Sequence, residues 1–200
     1  MDVNIFDNIA TKYDNPERIV IADLIAGKIA QYLPNNGETT GTAADVGCGT
    51  GLIGLQLANH FQQLTLIDAS QKMLDIVEQK IATLALGNAK TVYSDLHKPL
   101  DNISFDVIFM SQVLLHVPDT EPFLNNIYQM LNPGGKLLIV DFDKNPAIID
   151  DRVHNGFDQD TLHEVLKKLG FHNPTSETFY YGERNFMNQD ASMFIMQAQK

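Results

Sequence analysis

The stretch Ala43–Gly54 limits what this chain can fold into more than any other part of it. It reads Ala-Ala-Asp-Val-Gly-Cys-Gly-Thr-Gly-Leu-Ile-Gly. A small apolar run broken by glycines predicts a buried strand over Ala43–Cys48, a tight turn, and a helix over Thr50–His60. Glycine at Gly47, Gly49 and Gly51 lets the backbone turn sharply and lets a ligand approach without a side chain in the way. A helix starting there would offer unpaired N–H groups and the positive end of its dipole. Such a unit holds a nucleotide-like cofactor, and the identity of that cofactor decides the chemistry.

Asp45, two residues before the first glycine, narrows the choice. A carboxylate in that place would repel a diphosphate. It suits a cofactor with positive charge and no phosphate, and S-adenosylmethionine, with its ammonium and sulfonium groups, fits. The rival is NAD, because Gly49-x-Gly51-x-x-Gly54 matches the dinucleotide pattern formally. Its register, however, puts the acid four residues upstream, inside the strand.

The residues around Asp45 carry a wider resemblance. Asp45-Val-Gly47-Cys-Gly49-Thr-Gly51 is similar to the signature of the class I S-adenosylmethionine-dependent methyltransferases of small-molecule type. The likeness continues through Asp68-Ala69-Ser70-Gln-Lys-Met73-Leu, Ser94-Asp95 and Leu131-Asn-Pro-Gly134-Gly135-Lys136, over nearly the whole chain. It implies a three-layer, Rossmann-like α/β fold. Its seven-stranded, mainly parallel sheet has the order 3-2-1-4-5-7-6, helices cover both faces, and the cofactor lies at the carboxyl ends of strands 1 and 4.

Composition bounds the remaining possibilities. At 200 residues the chain reads as one domain, 1–200, with 1–34 an N-terminal arm and helix forming part of a lid. Twenty-five acids against 14 bases give a net charge of −11, which argues against a nucleic-acid partner, since phosphate binding rests on clustered Lys and Arg. The lone cysteine, Cys48, excludes a disulfide scaffold or a cysteine zinc site within one chain. It also disfavours the multi-cysteine arsenite methyltransferases. No apolar run is long enough for a bilayer, and the start, Met1-Asp-Val-Asn-Ile-Phe-Asp, has no basic, apolar leader. The expectation is a cytoplasmic protein with a small-molecule substrate and no membrane partner. The oligomeric state is left open, a homodimer among the options.

Periodicity sets out the rest. Met1–Asn15 reads as an arm anchored by Phe6 and Tyr13. The pattern Phe6-Asp7-x-x-Ala10-x-x-Tyr13-Asp14 resembles the opening of small-molecule methyltransferases, whose arm folds over the cofactor with the tyrosine able to touch it; simple docking on the core is the alternative. Asn15-Pro16 starts a helix with Ile21, Leu24, Ile25, Ile29 and Tyr32 on one face, and Asn35–Thr42 is a linker. Leu64–Ile67 is a strand ended by Asp68, and Ser70 caps a helix to about Leu86. Strands follow at Lys90–Tyr93, Phe105–Met110 and Lys136–Val140, with a helix from Asp119 or Thr120 between the last two. Lys144–Phe157 reads as a mobile connection, Asp158 caps the last helix, and Thr175–Tyr181 and Ala191–Gln197 pair around a Gly182–Asp190 loop.

Site residues follow from these placements. Tyr13, Asp45, Gly47, Cys48, Gly49, Gly51, Asp68, Ala69, Met73, Asp95, Leu96, Ser111 and Gln112 are the cofactor-binding set. Asp68 falls 21 residues after Gly47 and can accept both ribose hydroxyls, as acids do at that point of dinucleotide folds. By resemblance, Asp95 accepts from the adenine amino group and the Leu96 backbone touches the ring; a turn-forming Asp is the alternative. Met73 covers the adenine or packs in the core, and Cys48 reads as a packing residue in the turn.

Methyl transfer from a sulfonium is a one-step displacement, which needs alignment and exclusion of water more than a fixed base. His116, in Ser111-Gln-Val-Leu-Leu-His116, is the catalytic candidate, as a base or a hydrogen-bonded wall. Asp141, His154 and Tyr181 are candidate substrate contacts. The Asn/Asp-Pro-Pro-Tyr/Phe box of amino-methylating enzymes is absent after the fourth strand. That strand ends Met110-Ser111, one acid short of a metal-dependent O-methyltransferase site, so no metal is expected. Beside the methyltransferase stand an NAD-dependent Rossmann oxidoreductase and a non-catalytic S-adenosylmethionine-binding protein.

Overall fold

A computed structural model describes residues 7, 9–34 and 39–200, without the side chain of residue 11. Phe6 and residues 35–38 of the 35–42 linker fall outside them. One sheet of seven strands has the order β3-β2-β1-β4-β5-β7-β6, as the resemblance implied. Its strands are β1 (Thr40–Val46), β2 (Phe61–Asp68), β3 (Ala89–Tyr93), β4 (Phe105–Ser111), β5 (Leu131–Phe142), β6 (His172–Phe186) and β7 (Gln189–Gln199). β1 and β3 run parallel to β2, and β7 runs antiparallel to both β5 and β6. The helices are α1 (Pro16–Ala30), α2 (Gly54–Leu57), α3 (Gln71–Thr83), α4 (Thr120–Met130) and α5 (Gln159–Lys168). Among the described residues no helix is long and apolar enough to cross a membrane.

The chain divides into two compact units. The first holds Asp2–Asp95 with Phe105–Ile108, the second Leu96–Ser104 with Phe109–Lys200. In the first, the helix signals behave as capping chemistry requires. The Asn15 side chain accepts from the Arg18 N–H ahead of Pro16, and the Ser70 hydroxyl accepts from the Met73 N–H. The buried face of α1 is Ala22, Ile25, Ala26 and Ile29, while Ile21 and Leu24 are half-exposed; the small alanines let the helix sit close. β1 and β2 bury Ala43, Ala44, Val46, Leu64, Leu66 and Ile67, and α3 covers them with Met73, Leu74 and Val77.

In the second unit, Asp158 caps α5 by accepting from the Thr161 N–H, and Gly170, at φ 100, ends its C-terminal turn. Three expectations fail here or near the glycine turn. The helix expected over Thr50–His60 is one α-turn, Gly54–Leu57, followed by a 3₁₀ turn at Ala58–His60. The strand expected over Lys136–Val140 starts earlier, at Leu131, so the 131–135 stretch is not a separate connection. It already belongs to β5, because the Gly134 N–H donates to the Lys200 carbonyl and the Lys200 N–H to that of Gly135. The Gly182–Asp190 segment is nearly all strand, reversing at Met187-Asn188, both left-handed at φ 47 and 59. Asparagine tolerates that conformation, whereas methionine gives no sign of it.

Candidate cofactor and acceptor sites

In the first unit, the end of β1 and the glycine turn lean on the end of β2. The N–H groups of Gly47 and Cys48 donate to the Ile67 carbonyl at 2.8 and 3.0 Å, and the Gly49 N–H donates to Asp68 Oδ2 at 2.8 Å. The Gly51 N–H donates to the Cys48 carbonyl at 2.9 Å. Four of the turn's amides, those of Gly47, Cys48, Gly49 and Gly51, are therefore satisfied by the chain itself. With α2 only four residues long, little helix dipole stands behind the turn. A diphosphate would not find those four donors open.

It finds two carboxylates instead. Asp45 is 4% exposed; the Gly54 N–H donates to its carboxylate, and Oδ2 has no partner among the described residues. Burial, helped by the nearby Asp68 charge, pushes the Asp45 carboxyl well above the usual range. Only glycine fits at position 54, since a Cβ there would lie 2.3 Å from Asp45 Oδ2. Asp68 is fixed through both oxygens, Oδ1 taking the Ser70 N–H at 2.8 Å opposite the Gly49 bond. Each oxygen keeps a lone pair for a hydroxyl. Burial raises its carboxyl too, against the pull of those amides. Ala69 lies between Asp68 and the Ser70 cap. Burial holds the Cys48 thiol neutral, raised well above its ordinary value, which leaves it unfit as a nucleophile. Met73 is 1% exposed in the core, and Asp95 is exposed.

The arm covers this turn. A Cβ placed on Gly49, which sits at φ 54, would be 3.7 Å from the Tyr13 ring. The Arg18 guanidinium lies 3.9 Å from the centroid of that ring. Asp14 and Lys80, adjacent in space to Thr50, hold the arm down. Sequence reasoning missed that pair, although Asp14 stood inside the arm pattern that was singled out.

The second unit holds the remaining predicted residues. Leu96 adopts φ 53, and its carbonyl takes the Asn126 side-chain N–H at 3.0 Å. Ser111 ends β4 with its hydroxyl buried and unpartnered among the described residues. Gln112 turns left-handed at φ 54, its N–H on the Val140 carbonyl and its side chain on the Met193 sulfur. The chain then makes a 3₁₀ turn, Leu114–His116. Burial pulls the His116 imidazole down to a pKa of about 4, so it is neutral at pH 7.

Asp141, next to the last residue of β5, is wholly buried and accepts from the backbone N–H groups of Phe142 (2.9 Å), Leu115 (3.2 Å) and Leu114. It holds up the turn that carries His116. Burial raises its carboxyl to about 7. His154 supports the same turn from the other side, its N–H on the Leu115 carbonyl and Nε2 against that of Val117, both at 2.8 Å. The 144–157 connection is tied down further by bonds from Lys144 N to Phe157 O and from Asn145 N to Asn155 O. Tyr181 is 82% exposed on β6, the sheet's edge strand. Among the described residues no three His, Cys, Asp or Glu side chains gather as metal ligands would.

Comparison with known proteins follows this geometry. A family model described as "Methyltransferase domain" matches residues 44–139. The chain is 29% identical to the demethylmenaquinone methyltransferase of Oceanobacillus iheyensis, over 83% of this chain and 71% of that one. It is 27% identical to the ubiquinone/menaquinone biosynthesis C-methyltransferase UbiE of a Marinomonas species, over 76% and 63%. The chain thus spans about two thirds of the length of such relatives. In three dimensions it resembles a SAM-dependent methyltransferase from Aquifex aeolicus, with a TM-score of 0.71 at 20% identity, covering 96% of this chain and 97% of that one.

Proposed function

Because the chain belongs to the class I S-adenosylmethionine-dependent methyltransferases, we propose that it moves the methyl group of S-adenosylmethionine to a small-molecule acceptor and releases S-adenosylhomocysteine. One observation carries the choice of cofactor: a buried carboxylate, Asp45, and a half-buried one, Asp68, beside a glycine turn in which the Gly47, Cys48, Gly49 and Gly51 amides are already bonded. The unpartnered Asp45 oxygen suits a cationic ligand, and the same features weigh against NAD.

In the first unit, Gly47, Cys48, Gly49 and Gly51 give a bare backbone path, Asp68 and Ala69 take the ribose, and Tyr13 covers the turn; Asp95 and the core residue Met73 complete its share of the cofactor-binding set. In the second unit, Leu96, Ser111 and Gln112 remain in that set. Bound S-adenosylmethionine supplies an electrophilic methyl carbon on a sulfonium. The protein's share is to hold the acceptor in line and keep water out. His116, neutral and half-buried, offers a hydrogen-bonding wall and a weak base. That matches an acceptor which arrives already nucleophilic. A net charge of −11 favours a small molecule over nucleic acid.

Isothermal titration tests the reading. S-adenosylhomocysteine should bind in the micromolar range and NAD should not. No binding of S-adenosylhomocysteine at millimolar concentration would end it. Turnover in a screen of quinol, phenol and amine acceptors separates the enzyme from a protein that only binds the cofactor.

A further inference from the structure

We propose that Asp14, Thr50 and Lys80 form a latch that holds the arm on the glycine turn and thereby sets how fast the cofactor leaves. The latch rests on the methyltransferase reading and goes beyond it, since none of the three residues is needed to bind the cofactor directly.

The geometry is a three-way knot. The Thr50 hydroxyl donates to Asp14 Oδ1, and Lys80 Nζ lies 2.7 Å from Asp14 Oδ2. The same ammonium donates to the Thr50 carbonyl at 2.8 Å. One cation on α3 thus joins a carboxylate of the arm to the backbone of the glycine turn. Thr50 is 1% exposed, yet the Asp14 and Lys80 side chains keep 31% and 29% of their surface in water. Fully buried, such a pair would lock; fully exposed, it would hold nothing. At this depth, with the ammonium shared between two acceptors, it biases closure and still lets the arm open.

What the knot holds is the side chain next in sequence. Tyr13 lies over Gly49, so a ligand seated on that turn leaves only when Tyr13 lifts. A second tie, from the Ser70 hydroxyl to Asp7, fixes the arm at the N-terminus of α3. Both ties land on the elements that frame Asp68, the predicted ribose acceptor. Opening the arm and freeing the ribose contact are therefore parts of one motion.

The experiment measures the dissociation rate of S-adenosylhomocysteine by stopped-flow displacement in the wild type, Asp14→Ala, Lys80→Met, Thr50→Val and the Asp14→Ala/Lys80→Met double variant. Thr50→Val keeps the volume and guards against loss of folding in the charge variants. Each single change should raise the dissociation rate roughly tenfold, the loss of one charge-assisted contact, with the association rate little changed. The double variant should be no faster than the faster single, because both changes break the same knot. Hydrogen exchange at residues 9–14 should be slowed by the ligand in the wild type and not in Asp14→Ala. Unchanged dissociation in the singles, or effects that multiply in the double, would overturn the latch. A wild type that does not bind S-adenosylhomocysteine at all would overturn the methyltransferase reading, and the latch with it.

Discussion

Asp45 works against the empty fold. Its folded pKa stands well above the ordinary carboxylate value of 3.8, so its contribution to stability is whole below about pH 4 and is lost as pH rises through the folded pKa. A bound cation reverses that, since it favours the ionised form. Asp45→Asn should therefore leave the ligand-free protein at least as stable as wild type at pH 8 while weakening S-adenosylhomocysteine binding by roughly tenfold or more. Thermal melts and titration calorimetry on the same samples would read both; an unchanged affinity would remove Asp45 from the site. Gly54→Ala should act through the same carboxylate. Its methyl would arrive 2.3 Å from Oδ2, against a neighbour that strand β1 cannot release. A loss of about 1–3 kcal/mol is expected for such overpacking, read by urea unfolding. His116 titrates the other way. Its pKa of about 4 lies below the ordinary 6.5, so its stability contribution is present above pH 6.5 and is lost as pH falls through 4. NMR of the imidazole should show it neutral from pH 6 to 9, and a titration midpoint near 6.5 would contradict the burial.

At the scale of elements, the turn Leu114–His116 depends on Asp141. Replacing that carboxylate with alanine strands up to three backbone N–H groups in the interior. The expected cost is about 2–4 kcal/mol. Asparagine should fall between, since its amide turns a donor toward donors. Asp141 ionises near 7 in the fold against 3.8 outside it, so its term is full below about pH 4 and is lost on the way up through 7. Urea melts from pH 4 to 8 should show that slope in wild type and lose it in Asp141→Asn. This role could not be read from the sequence, because an acid at a strand end looks the same whether it turns to a ligand or to a neighbouring loop's amides. Caps were legible: Asn15, Ser70 and Asp158 each act on an N–H three residues on, where spacing alone decides. The strand that feeds the glycine turn was legible for the same local reason. The helix after it was not, because the turn's amides answer to Ile67 and Asp68, partners about 20 residues away in sequence. That Tyr181 lies exposed on the edge strand β6 was not legible, because strand alternation cannot tell an edge strand from a central one.

Across the whole molecule, the sheet order was legible only through family resemblance. Alternating strands and helices imply parallel pairing, but nothing local states that β7 inserts between β5 and β6. Function at this scale is a linkage between cofactor and fold. A ligand that binds only the native chain stabilises it by about 2.7 kcal/mol at one hundred times its dissociation constant, which for a chain of 200 residues raises the melting temperature by about 5–10 °C. S-adenosylhomocysteine should produce that shift. NAD should not, because its diphosphate meets the carboxylates of Asp45, buried, and Asp68, half-buried, and a turn whose Gly47, Cys48, Gly49 and Gly51 amides are already bonded. The shift should also survive half-molar salt, since these acids are shielded from mobile ions far more than surface charges are. Differential scanning calorimetry with each ligand at low and high salt settles the matter: an equal shift with NAD, or one erased by salt, would mean that the ligand is held by exposed charge and not by the pocket beneath the arm.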